Sequence, residues 1–255
     1  MHAQGRQITT EGAALHVKEQ GTPSGRCVLF LHGGGGSLQD FAALLPHFKD
    51  CRCVLMDSRG HGRSALGDRA LRYPQLARDV EAVVAACGLQ APVLVGHSDG
   101  GISALHVAAA QRLRLGGLAV MGANGGPPAA EVIDGILSKV SAQSWRQMFP
   151  DSTARYERIN PVPDLERLID TLRDLWCDTR AGNYPEAETL ARINCPTLVL
   201  GGDQDQLVPS QDSEALAAAS PGATLALLPS CGHDFPETAP QQTAAALRGF
   251  LQQLP

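Results

Sequence analysis

Ser98 lies in Gly96-His97-Ser98-Asp99-Gly100-Gly101, between an apolar stretch at 91–95 and a helix-forming stretch at 102–110. A serine flanked by glycines at a strand-to-helix corner is a nucleophile elbow. The sharp turn strains the serine backbone, lifts its hydroxyl above the sheet and leaves no room for side chains two residues away. A serine hydroxyl is protonated near neutral pH, so it needs a base within reach and a group to orient that base. His233, in Ser230-Cys231-Gly232-His233, follows the last apolar run. Asp205, in Gly201-Gly202-Asp203-Gln204-Asp205, follows the run before it, with Asp203 as its rival. The order Ser, Asp, His places each in a loop after a strand. In a parallel sheet such loops gather at one end. His233 would act as general base and Asp205 would hold its imidazole, giving a Ser-His-Asp triad.

A tetrahedral intermediate also needs N–H donors for its negative oxygen. His32-Gly33-Gly34-Gly35-Gly36 follows the third strand, and its glycines let backbone amides come close. The amide of Gly34, paired with that of Asp99, is the expected oxyanion hole, with Gly35 as the fallback. No Gly-Lys-Ser/Thr follows, so this is not a phosphate loop. Asp57-Ser58-Arg59-Gly60-His61-Gly62-Arg63-Ser64 follows the fourth strand. It reads as a glycine-bent loop braced by Asp57 and Arg59 rather than as a substrate contact through Arg59 or His61. His2, His16, His47 and His106 read as structural or solvent-facing.

Alternation of apolar runs and helical patterns supplies the frame. A hairpin at 7–18 turns at Glu11-Gly12, and buried strands are expected near 27–31, 53–56, 93–95, 118–121, 197–200 and 224–228. Helices are expected at 39–48, 73–87, 98–111, 210–219 and 240–251. Strand–helix alternation implies a mostly parallel eight-stranded sheet with helices on both faces. Residues 124–191 carry helical patterns and both tryptophans, Trp145 and Trp176, but no strand pattern. They read as a helical cap inserted after the sixth strand, with 1–123 and 192–255 forming the core.

Composition narrows the function. The 255 residues carry a net charge of −5 and no basic block, which argues against a nucleic-acid partner. No run is long enough to span a membrane, and residues 1–7 lack the apolar centre of a signal peptide, so the cytoplasm is the default location. Seven scattered cysteines fit neither a disulfide framework nor a metal site. The expected partner is a small-molecule ester, and no cofactor is called for. Oligomeric state is not legible.

Taken together, these motifs resemble the α/β-hydrolase superfamily along essentially the whole chain. The resemblance selects Asp205 over Asp203, because Asp205 stands four residues before Pro209. Ser98-Asp99-Gly100-Gly101-Ile102 followed by Met121-Gly122-Ala123-Asn124 resembles the valacyclovir hydrolase (biphenyl-hydrolase-like) branch. Two features depart from it: His97 before the serine and the glycine-rich oxyanion segment. The branch hydrolyses amino-acid esters, and the resemblance implies that Asp99 attracts a substrate ammonium. The competing expectation is that Asp99 only caps a helix N-terminus. The leading expectation is a cofactor-independent serine hydrolase cleaving small carboxylic esters. The alternatives are C–C hydrolase, lyase or cofactor-free peroxidase chemistry on the same triad, or a ligand receptor with a hydrolase-like pocket.

Overall fold

The computed structural model describes residues 5–255; His2 lies outside the described residues. Eight strands form one sheet: β1 Arg6–Thr10, β2 Ala13–Gly21, β3 Cys27–Leu31, β4 Arg52–Met56, β5 Val93–His97, β6 Gly117–Met121, β7 Thr197–Gly202 and β8 Ala223–Leu228. Their spatial order is β1-β2-β4-β3-β5-β6-β7-β8. Only the pairs β1–β2 and β2–β4 are antiparallel; β4 through β8 run parallel. The loops after β3, β4, β5, β7 and β8 therefore share one edge, with β5 in the middle.

Apolar residues alternate to both faces because successive strand side chains point oppositely. Leu29, Leu31, Leu94, Leu118 and Val120 join one buried cluster, while Val28, Phe30, Val93, Val95 and Met121 join another. Helices α1 Tyr73–Ala86 and α2 Asp99–Ala110 cover the first face. The segment 38–48 is not one helix. It forms two short 3-10 turns, Leu38–Phe41 and Leu45–Phe48, whose buried phenylalanines pack on the second face. Pro46 at the second turn's start lacks the N–H that would continue the first.

Between β6 and β7 come α3 Ala130–Gly135, α4 Ala142–Met148, α5 Pro150–Ile159, α6 Leu165–Trp176 and α7 Ala187–Leu190. Helix α5 carries little apolar pattern, since its only buried residue is Thr153. An apolar stripe on α6, Leu165, Leu168, Ile169, Leu172 and Trp176, merges with the core cluster of the α1–α2 face. Each fully buried Leu or Ile there contributes about 1.5–3 kcal/mol. Asp164 caps α6 by accepting the Arg167 N–H at 3.0 Å. The chain closes with α8 Ser210–Ala219, α9 Phe235–Thr238 and α10 Pro240–Gln253.

Candidate active site

The corner between β5 and α2 has the expected strain. Ser98 adopts φ 50° and ψ −119°, a conformation that costs a non-glycine residue roughly 1–3 kcal/mol. It persists because the turn is wedged between two strands and a helix. A Cβ at Gly100 would lie 2.2 Å from the Leu31 carbonyl oxygen of β3, so only glycine lets α2 start there. As the first residue of α2, Asp99 keeps its backbone N–H outside the helical ladder.

Ser98 and His233 line the same cavity, of about 410 Å³, at the shared sheet edge. His233 Nδ1 donates to Asp205 Oδ2 at 2.8 Å, which leaves Nε2 free to accept. Asp205 Oδ1 accepts from the N–H groups of Leu207 and Val208, at 2.8 and 2.9 Å. Burial alone would raise the Asp205 carboxyl. The His233 contact and these N–H groups outweigh burial and hold it below the usual carboxylate range. For His233 burial works against the charged ring, yet the bond to Asp205 and its charge prevail and lift it above the ordinary histidine value. Asp203 instead accepts the Cys231 N–H at 3.2 Å and ties the two loops together. No direct hydrogen bond joins the Ser98 hydroxyl to His233 in this conformation. Contacts of this kind commonly tighten only around substrate.

Residues to which the sequence reading gave no site role hold these groups. His97 Nε2 donates to the His233 carbonyl at 3.0 Å, and their rings lie 5.0 Å apart. Burial, followed by the neighbouring His233, pushes His97 down to about 3, so it remains a neutral strut. Trp176, the last residue of α6, donates Nε1 to both Asp99 oxygens at 3.0 Å, and the Tyr73 hydroxyl donates to Asp99 Oδ1 at 2.8 Å. Asp99 is an acidic residue in the first turn of α2, but its side chain accepts from Tyr73 and Trp176 and is buried against the cavity. Burial raises its carboxyl, while the Trp176 and Tyr73 donors oppose the rise. Among the described residues no arginine or lysine pairs with it.

The glycine-rich loop after β3 brings a correction. Gly35 cannot serve as the fallback oxyanion donor, because its N–H is spent on His61 Nε2 at 2.9 Å. Its glycine identity comes from packing: at φ +71° a Cβ would sit 2.1 Å from the Trp145 indole. Gly34 lies under the other indole, with a built Cβ 2.6 Å from Trp176. Two tryptophans from the helical segment between β6 and β7 thus pack on Gly34 and Gly35, while Gly33 and Gly36 face Ser98 and Asp40. Asp57 and Arg59 both brace the loop after β4, as the sequence suggests, but through separate partners. Arg59 pairs not with Asp57 but with buried Asp79 of α1, while Asp57 accepts from His16 and from the backbone N–H groups of Leu38 and Arg63.

Residues 28–246 match the model of the alpha/beta hydrolase family. The chain belongs to the alpha/beta hydrolase family. Its relatives include RutD of Caulobacter sp. (strain K31), a protein named for carbamate hydrolysis; it is 34% identical over 96% of this chain and 98% of that protein. The human serine hydrolase BPHL is 29% identical over 90% of this chain and 80% of its own length. In fold, the chain is similar to the meta-cleavage product hydrolase of Pseudomonas fluorescens IP01, with a TM-score of 0.82, 20% identity and 98% of each chain covered. Among the described residues, no helix is long and apolar enough to cross a membrane.

Proposed function

We propose that this alpha/beta hydrolase is a serine hydrolase that cleaves small carboxylic esters through an acyl-enzyme. The observation that carries this reading is the strained Ser98 lining the same cavity as His233, whose ring is paired with Asp205. Ser98 Oγ attacks the ester carbonyl carbon while its proton passes to His233 Nε2. The carbonyl oxygen becomes negative and is received by the N–H groups of Gly34 and Asp99. Collapse breaks the ester C–O bond, and the leaving alkoxide takes the proton from His233. Water then attacks the acyl carbon, gives its proton to His233, and Ser98 recovers it as the acid departs.

Asp99 favours a narrower reading, in which the esters are those of amino acids. A buried carboxylate that lines the cavity with no cationic partner would be neutralised by a substrate ammonium, whereas a neutral acyl group leaves its charge uncompensated. Short p-nitrophenyl esters should be cleaved with an initial burst, and a fluorophosphonate probe should label Ser98. Ser98→Ala should lose both properties. A wild-type protein that the probe does not label overturns the nucleophile. An amino-acid ester should be preferred over its des-amino analogue, and Asp99→Asn should reduce that preference about tenfold, or ~1.4 kcal/mol. An unchanged ratio rejects the ammonium contact while leaving the esterase reading intact.

A further inference from the structure

The peptide joining Gly33 to Gly34 is held from one side. Its carbonyl oxygen accepts from His32 Nδ1 at 2.7 Å and from the Gly36 N–H at 3.2 Å. In a trans peptide the N–H points opposite to the carbonyl, so the Gly34 N–H faces the other way. The next peptide is held by a second imidazole, since the Gly35 N–H donates to His61 Nε2. His61 Nδ1 in turn donates to the Arg59 carbonyl at 2.7 Å, and Arg59 is anchored to α1 through Asp79. His32 is fixed in the same way, because its Nε2 accepts the Ser58 N–H at 3.0 Å. The two rings pack with centroids 5.0 Å apart.

We propose that His61 is a positioning residue of the oxyanion site: its Nε2 lone pair, fixed in one tautomer, takes up the Gly35 N–H and so leaves the Gly34 N–H as the donor aimed at the reacting carbonyl. This rests on the serine-hydrolase reading. The tautomer is dictated by the partners, since a carbonyl must receive Nδ1–H and an amide N–H must meet a bare Nε2. Protonation of Nε2 would turn the acceptor into a donor facing a donor. Burial, then the neighbouring His32, oppose that and push His61 down to about 3, so the contact survives the whole working pH range. Such an imidazole touches no substrate; it acts through the loop.

Two measurements test this. In wild type with 15N labelling, a 15N–15N coupling should cross from the Gly35 amide to His61 Nε2, with Nε2 unprotonated from pH 5 to 8. Its absence, with a protonated Nε2, overturns the proposal without any variant. In kinetics, His61→Leu should lower kcat on p-nitrophenyl acetate about 10- to 100-fold with KM within about twofold, somewhat less than removing an oxyanion donor outright. The fluorophosphonate labelling rate of Ser98 should fall by a similar factor. His61→Gln, whose side-chain oxygen can accept the Gly35 N–H, should recover most of the loss. A folded His61→Leu with wild-type kcat overturns the proposal, as does a folded His61→Gln no better than Leu. Failure of the hydrolase reading is distinct, because wild-type Ser98 would then not be labelled at all.

Discussion

His233 is the residue whose surroundings set the pH behaviour. On the proposed hydrolase mechanism it must be neutral to take the Ser98 proton. Asp205 holds it above the ordinary histidine value despite burial, so the ring stays charged, and idle, up to a higher pH. The acid limb of kcat/KM should therefore lie above the ordinary histidine value of about 6.5. Asp205→Asn removes the charge that raises the ring, so the limb should move to lower pH while kcat falls roughly 10³- to 10⁴-fold. A pH–rate profile with an unmoved limb in Asp205→Asn would assign the limb to another group. The Asp203 counterpart, Asp203→Asn, should leave the limb in place, because that side chain braces Cys231 and not His233. The choice between two acids only two residues apart came from the family resemblance, through the distance to Pro209. The reason for it, one carboxylate turned to the histidine and the other to a neighbouring loop, is a matter of loop geometry.

At the scale of elements, the corner from β5 into α2 decides whether Ser98 is presented at all. Helix α2 begins so close to β3 that a methyl group at Gly100 would overlap the Leu31 carbonyl. Backbone cannot retreat as a flexible side chain can, so Gly100→Ala should destabilise the fold by about 1–3 kcal/mol or more. Urea titration reads this as a lower midpoint, and a midpoint equal to wild type would mean that α2 can shift outward. The glycines of this corner were legible because their turn chemistry is local. Those of the loop after β3 were legible as sites of close backbone approach, but not for the side chains that pack on them. What packs on Gly35 and Gly34 is the pair of indoles Trp145 and Trp176, which come from more than a hundred residues away in sequence.

Across the whole molecule, the helical segment between β6 and β7 is fastened to the sheet and its loops at several points. The α6 stripe joins the core cluster, and the buried side chain of Asn160, at the end of α5, donates to the carbonyls of Gly60, Gly62 and Ser64 at 3.0–3.3 Å. Beneath them, the Arg59–Asp79 pair, each side chain 1% exposed, links the loop after β4 to α1, while Arg59 also reaches Thr10 and the Glu11 carbonyl in the β1–β2 turn. Removing one partner leaves a buried charge without compensation. Asp79→Ala should cost about 3–5 kcal/mol in denaturant unfolding. Replacing both, Arg59→Met with Asp79→Leu, should cost clearly less than Asp79→Ala. A double variant as unstable as the single one would show that shape, not charge, makes the joint.

The sequence by itself determined the eight-stranded frame, the strand-to-helix corner at Ser98 and the loops that carry Asp205 and His233. Strand alternation, turn chemistry and motif spacing are local, and a parallel sheet sends every such loop to the same edge. Only the tertiary structure decided which N–H groups of the glycine loop are free, that Arg59 pairs with Asp79, and that Asp99 is held by Tyr73 and Trp176. Those contacts join residues between about twenty and eighty positions apart. Hydrogen-bond partners at such separations follow from how helices and cap pack on the sheet, and no periodicity along the chain encodes that packing.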